Sequence, residues 1–222
     1  MTFPAFLRVG SSIFGILRNF RSHAAEMKSP VPSKPIFFLK PASSCAVSGV
    51  DAHIFVPSGI PSVHHEVELG VIIGKAGKRI PASRALEHIA GYVGSLDVTC
   101  RQWQAEAKEN GLPWTLAKGA DTFCGLSGTV IPSTAIQDPS QFRMWVRVNG
   151  ELRQDAQAND MVFGIPELVA AVSQHITLME GDLILTGTPA GVGPLVAGDT
   201  LEGGVELGPH SSTFSFSVMQ EM

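Results

Sequence analysis

Charge is scarce in this sequence of 222 residues: Asp, Glu, Lys and Arg together make up 16%, against about 25% in an average soluble domain. The charge that is present leans acidic, with 20 acidic against 16 basic side chains and no basic stripe. Neutralising nucleic-acid phosphates needs clustered Lys and Arg, so the sequence argues against nucleic acid as a partner. Cysteine is equally sparse. Cys45, Cys100 and Cys124 are odd in number, far apart and without a C-x-x-C pair. This speaks against a disulfide framework and for a reducing compartment, with all three read as buried thiols. No run approaches the roughly 20 apolar residues of a spanning helix, and strings such as Ile36-Phe37-Phe38-Leu39 have the length of a core strand, so no membrane partner is expected. No repeat or low-complexity block divides the chain.

What remains is a chain that is 44% hydrophobic and rich in turn formers, with 23 Gly and 15 Pro. At this length on the order of 70% of the unfolded surface is buried on folding, enough for one core without staples. Low charge with high apolar content points to some surface being covered by a second copy. Residues 1 to 25 contain no acid but carry Arg8, Arg18, Arg21, Ser11, Ser12 and Ser22. Organelle presequences share this composition, so a short presequence stands beside a folded start as an expectation, in a protein read as intracellular, mitochondrial or cytoplasmic.

Strand signals lie at 36 to 39, 52 to 56, 65 to 73, 92 to 99, 142 to 149, 183 to 186 and 213 to 218, separated by Gly, Pro, Ser and Asp clusters. Asn149-Gly150, between two such stretches, is the strongest hairpin signal. Helices are fewer. A short one is expected after Ser22 as N-cap, stopping before Pro30, with others from Ser83 to Ile89, from 101 to 109 up to Gly111, and from Pro166 to about Gln174. The fold class is α+β and strand-dominated. Residues 1–35 read as an N-terminal segment with a short helix and 36–222 as the main domain, one structural unit overall.

The segment Val63-His64-His65-Glu66-Val67-Glu68-Leu69-Gly70-Val71-Ile72-Ile73 is the most informative. Val67, Leu69, Val71 and Ile73 alternate on one strand face, which places Glu66 and Glu68 together on the other. Neighbouring carboxylates on a half-buried strand repel, so one takes a proton, both face water, or a cation sits between them. Asp97, in the apolar stretch Gly94-Ser95-Leu96-Asp97-Val98-Thr99, is a third acid out of place unless paired or ligated. Three carboxylates make an all-oxygen set suited to Mg²⁺ or Mn²⁺ with positions left for a chelating substrate. No Cys or His cluster accompanies them, which disfavours zinc.

These residues belong to a larger set of motifs. Val-His-His-Glu-Val-Glu-Leu at 63 to 69, Leu96-Asp97-Val98-Thr99 with Arg101 and Gln104, and Gly111-Leu112-Pro113-Trp114-Thr115-Leu116-Ala117-Lys118 are joined by Val148-Asn149-Gly150-Glu151-Leu152-Arg153-Gln154 and by the stretch from Glu180 to Gly193. Together they resemble the fumarylacetoacetate hydrolase family, closest to its single-domain acylpyruvases, also described as oxaloacetate decarboxylases and tautomerases. The resemblance covers the chain from about residue 13 onward. It implies a mixed β-sandwich roll, a homodimer, and Mg²⁺ (Mn²⁺ as substitute) held by Glu66, Glu68 and Asp97. It further implies that Arg101, Gln104, Lys118 and Thr188 hold a small 2-oxo acid, and that His23 and Glu26 activate water from a lid helix.

The chemistry agrees with such roles. Cleaving an acylpyruvate, or losing CO₂ from oxaloacetate, leaves a pyruvate enolate beside a carboxylate, and positive charge must absorb it. Lys118 is placed for a second positive charge, although a lone Lys in an uncharged stretch can also snorkel to water. His23 and Glu26, three apart, share a face of the expected helix; they make either a solvated helix end or a general base with its orienting carboxylate. Arg101 and Gln104 can likewise form an exposed helix face. Gly187-Thr188-Pro189-Ala190-Gly191-Val192-Gly193 lacks the Lys of a phosphate loop and reads as a tight loop approaching a substrate carboxylate. His53, His65, His88, His175 and His210 show no ligand spacing and are assigned structural or surface roles. Where the family reads Gly-Arg-Asn-Tyr before the lid, this chain has Leu17-Arg18-Asn19-Phe20, which puts lid positioning and substrate choice in question.

Overall fold

In the computed structural model, which describes residues 11–27, 29–51 and 53–221, strands dominate as the sequence predicts. Residues 1 to 10, including Arg8 of the presequence reading, and Ala52 of one expected strand lie outside the described residues. The strands are β1 (Ile13–Ile16), β2 (Phe37–Lys40), β3 (Cys45–Val47), β4 (His53–Val56), β5 (Val63–His65), β6 (Val67–Ile73), β7 (Ile89–Asp97), β8 (Cys124–Leu126), β9 (Ile131–Pro132), β10 (Arg143–Val148), β11 (Glu151–Gln157), β12 (Leu183–Leu185), β13 (Gly193–Leu195), β14 (Thr200–Leu207) and β15 (His210–Gln220). Among the described residues four α-helices join them: α1 (Arg21–Glu26), α2 (Arg101–Glu109), α3 (Thr115–Gly119) and α4 (Ile165–His175).

The larger sheet runs β2-β1-β12-β6-β7-β8-β3, with β9 also on β7; the second runs β11-β10-β14-β15-β4, and β13 pairs with β5. Parallel pairs (β1 with β12, β3 with β8, β15 with β4) sit among antiparallel ones, so both sheets are mixed. β10 alternates as a half-buried strand should, with Met144, Val146 and Val148 inward. β6 instead is buried at all seven positions, because both faces of the larger sheet are covered. One face sends Val67, Leu69, Val71, Tyr92 and Leu96 into the core shared with Met144, Val146, Val205, Phe214 and Phe216 of the second sheet. The sheets approach closely at Gly94, where a Cβ would meet the Ser212 carbonyl oxygen at 2.3 Å. The opposite face holds a second apolar cluster of Ile13, Ile72, Val93, Leu126, Leu183 and Leu185. The register that pairs Glu68 with Ser95 brings Glu68 and Asp97 to the end of that same face.

The Asn149-Gly150 hairpin forms between β10 and β11, with both residues at positive φ (51° and 80°) as a tight two-residue turn demands. Other expectations are corrected. The N-cap position of α1 is Phe20, not Ser22, whose hydroxyl instead donates to Asp160 Oδ2 at 2.9 Å. The stretch from Ser83 forms a 3₁₀ run over Ala82–His88 after Pro81, with no side-chain cap. The 65 to 73 strand is split at Glu66 into β5 and β6. Cys45 is only partly buried, whereas Cys100 and Cys124 are fully so.

Candidate active site

Glu66 occupies the break between β5 and β6, Glu68 the second position of β6, and Asp97 the last of β7. All three are buried, and one oxygen of each lies within 4.8 Å of the others. A solvated carboxylate face is therefore ruled out; the pleat has turned the acids inward instead. Lys118, on α3, places Nζ 3.0 Å from Glu66 Oε2 and 2.5 Å from Asp97 Oδ2 and is itself buried, so it does not snorkel to water. Arg101, the first residue of α2, donates from Nη2 to Glu66 Oε1 at 2.5 Å and from Nη1 to Gln104 Oε1 at 2.9 Å. Gln104 is buried too, so this helix face turns toward the site and not to solvent.

Charge balance within the cluster is uneven. Burial alone would raise the Glu66 carboxyl, but Lys118 and Arg101 hold it down at about 2. Burial works against the Lys118 ammonium, and Asp97 and Glu66 overcome it and push its pKa up. Glu68 has no ion pair among the described residues; it accepts a hydrogen bond from the Gly187 N–H at 2.6 Å. Burial, and then the charges of Asp97 and Glu66, push its carboxyl well above the usual range. A buried carboxyl with no ion pair of its own among the described residues, facing two other carboxylates, is a donor set that fits a hard divalent cation. The residues present therefore suit Mg²⁺ or Mn²⁺.

α1 closes one side. His23 is buried, its Nδ1 3.2 Å from Glu26 Oε2, and Glu26 Oε1 accepts from the Gly191 N–H at 3.0 Å. The pair is thus clasped to the Gly-rich loop and is not a free helix end. The chain entering α1 is fixed by Asn19, whose Nδ2 donates to the carbonyls of Thr186 at 2.8 Å and Phe163 at 3.0 Å. At Gly187 (φ +99°) a Cβ would meet Asn19 Cβ at 2.8 Å, so loop and lid meet where only glycine fits. Arg18, not Leu17, takes the left-handed conformation (φ 51°) in the segment that departs from the family pattern, and Phe20 fills the core. Thr188 Oγ1 accepts from Gln154 Nε2 at 2.8 Å, which orients its own hydroxyl proton elsewhere.

These groups share one cavity of about 290 Å³ that Glu66, Glu68, Asp97, His23, Arg101, Gln104, Lys118 and Thr188 all line. The structure thus brings every sequence-predicted site residue together, with Glu26 just behind His23. Its outer wall adds Arg18, Met27, Phe38, Lys108 and Trp114, with Lys108 Nζ 5.1 Å from the Trp114 ring. Burial, then Arg101, Arg18 and Lys118, lower the Lys108 pKa, as expected where cations converge.

Sequence reasoning missed Lys40 and Gln154. Lys40, closing β2, is buried and ion-paired with Asp97 Oδ1. The signal was a lysine at the end of the apolar string Ile36-Phe37-Phe38-Leu39, the same anomaly that singled out Asp97. Gln154 Oε1 accepts from the Val67 N–H and contacts His65 Nδ1, both at 3.0 Å, tying β11 to the metal-facing strand and giving His65 the structural role expected of it.

Comparison with known proteins agrees with this geometry. Residues 12–215 match the family model for the fumarylacetoacetate (FAA) hydrolase C-terminal domain. The chain is 46% identical over 201 residues to the mitochondrial oxaloacetate tautomerase FAHD1 of Mus musculus, covering 90% of each chain. It is 43% identical over 200 residues to a mitochondrial oxaloacetate decarboxylase of Dictyostelium discoideum, covering 90% of this chain and 91% of the relative. Among solved structures, fumarylpyruvate hydrolase from Pseudomonas aeruginosa in complex with Mn²⁺ and pyruvate superposes with a TM-score of 0.87 at 32% identity, over 95% of this chain and 90% of that one.

Proposed function

This chain belongs to the fumarylacetoacetate hydrolase family, and we propose that it is a divalent-metal-dependent enzyme of small 2-oxo acids. In this reading it hydrolyses acylpyruvates to pyruvate and a carboxylic acid and decarboxylates oxaloacetate through the same enolate. The observation that carries the reading is that three buried carboxylates, Arg101, Lys118 and His23, with Glu26 behind it, meet at one small cavity. Glu66, Glu68 and Asp97 would hold Mg²⁺ or Mn²⁺, which when bound would supply Lewis-acid stabilisation of the enolate.

The protein's own groups do the rest. Arg101, with Gln104 beside it, and the Thr188 hydroxyl receive the substrate carboxylate. Lys118, itself buried, holds a fixed positive charge where the oxyanion develops. His23, oriented by Glu26, takes a proton from water as the water attacks the acyl carbonyl. The C–C bond then breaks, its electron pair passes into the pyruvate enolate, and a proton returned to carbon gives pyruvate. Decarboxylation of oxaloacetate releases the same enolate with no attacking water and leaves His23 idle.

A second reading, oxaloacetate keto-enol tautomerase, is favoured by Arg18 and Lys108 at the outer wall, where two cations suit the second carboxylate of a dicarboxylic oxo acid. The names of the relatives point the same way. Those relatives are named mitochondrial, and with the acid-free, Arg- and Ser-bearing start of the chain this supports a mitochondrial setting. Exposed Leu39 and Leu112 beside the site support a homodimer. Pyruvate release from acetylpyruvate and from oxaloacetate, each with Mg²⁺ and after chelation, is the deciding measurement. Chelation-sensitive release from acetylpyruvate is expected; release from neither substrate overturns the hydrolase and decarboxylase reading and leaves tautomerisation.

A further inference from the structure

β3 is the edge strand of the larger sheet, held there by three parallel residue pairs with β8. The first of these pairs sets Cys45 directly opposite Cys124. On its other edge β8 pairs with β7, and there Cys124 stands opposite Asp97. Two cysteines and a candidate metal ligand therefore lie side by side across three strands. Adjacent strands run roughly 4.8 Å apart, inside the Cα separation of about 4.4–6.8 Å that a disulfide tolerates. Their surroundings differ: Cys124 is sealed in the second apolar cluster, while Cys45 is partly exposed and lines a groove of about 980 Å³ together with His53, Trp103 and Asp121. Cys100 is buried in the main core, away from both.

We propose that Cys45 and Cys124 are a modification site, a dithiol that hydroperoxides oxidise to an intrachain disulfide, and that closing it loosens the metal site at Asp97. Cys45, the thiol open to the groove, attacks the peroxide; the O–O bond breaks, giving a sulfenic acid at Cys45 and water, or an alcohol from an organic peroxide. The Cys124 sulfur then displaces hydroxide from the sulfenic sulfur, and with the Cys124 proton it leaves as water. Two thiols are oxidised by two electrons and one peroxide is reduced. The sulfurs close to about 2.05 Å. This draws Cys124 toward the edge strand and away from the pairing that seats Asp97. Formation of the disulfide does not depend on the proposed function; its effect on cation binding rests on that reading.

The test treats the full-length reduced protein with a few equivalents of hydrogen peroxide, blocks free thiols and maps peptides without reduction. A Cys45–Cys124 peptide lighter by two hydrogens is expected, with Cys100 reduced in every sample. Mn²⁺ titration should then show affinity lower by about tenfold, the size of effect seen when groups supporting a ligand are disturbed. Dithiothreitol should restore it, and Cys45→Ser should bind Mn²⁺ normally and ignore peroxide. A Cys45 sulfinic acid, a disulfide between two copies, or no linkage overturns the site. Linkage with unchanged Mn²⁺ affinity overturns its coupling to Asp97. Failure of the reduced protein to bind Mn²⁺ counts instead against the proposed function.

Discussion

Lys40 and Asp97 form an ion pair from which water is all but absent, at the point where β2 ends beside the end of β7. Breaking a buried pair costs up to about 3–5 kcal/mol, and here the loss of Lys40 leaves Asp97 with Lys118 as its remaining counter-charge. Lys40→Met is therefore expected to lower the thermal midpoint of the metal-free protein markedly. It also makes the Glu66, Glu68 and Asp97 cluster more negative, so Mn²⁺ should raise the midpoint of the variant by more than it raises that of the natural protein. Melting curves with and without Mn²⁺ check both; equal Mn²⁺ shifts in the two proteins would count against Lys40 as a resident counter-charge of Asp97 beside Lys118.

The His23–Glu26 pair leads to a split between activities. Only hydrolysis needs a proton taken from water, so His23→Ala should reduce pyruvate release from acetylpyruvate by ~10²–10⁴-fold, the usual worth of a general base. Decarboxylation of oxaloacetate should change little. Equal loss of both, measured on the same preparation, would assign His23 a role in holding the lid closed. Glu26→Gln keeps a side chain able to accept from Gly191 N–H and so separates docking of the lid from activation of the imidazole.

Much of this site was legible in the sequence because burying an acid needs a reason: Glu66, Glu68 and Asp97 stand out in apolar surroundings whatever the fold. The hairpin at Asn149-Gly150 and the helix from Arg101 to Glu109 were legible from local chemistry alone. Other features were not. β14 carries Gly203 and Gly204 where the second sheet passes over Gly94, so the close approach erased the apolar alternation that marks a strand. β1 and β3 are short and pair in parallel with strands far along the chain, which no local pattern encodes. α3 has five residues, too few for a helical period, although it delivers Lys118.

Lys108 and Arg18 bear on substrate choice. If they receive a second carboxylate, Lys108→Met should raise KM for oxaloacetate by about tenfold, the effect of losing roughly 1.4 kcal/mol. KM for acetylpyruvate, which has only the carboxylate assigned to Arg101, should stay put. Steady-state kinetics on both substrates decide, and a matching rise for both would place Lys108 with the general wall of the cavity.

Far from the site, Tyr92 offers a measurement that needs no substrate, because it is the only tyrosine in the chain. Its phenol is pushed up to about 12, by burial first and by the charge of Asp138 second. In the unfolded chain a tyrosine releases its proton near pH 10. A group that holds its proton more tightly when folded contributes stability fully below about pH 10 and loses it as pH rises toward 12. Denaturant midpoints should therefore fall through this window more steeply in the natural protein than in Tyr92→Phe, which keeps the ring packing against Phe142 at 5.2 Å. In the folded protein the tyrosinate absorbance should rise together with unfolding and not before it. A tyrosinate signal appearing near pH 10 while the far-ultraviolet spectrum is still native would mean that the core between the two sheets admits water at Tyr92.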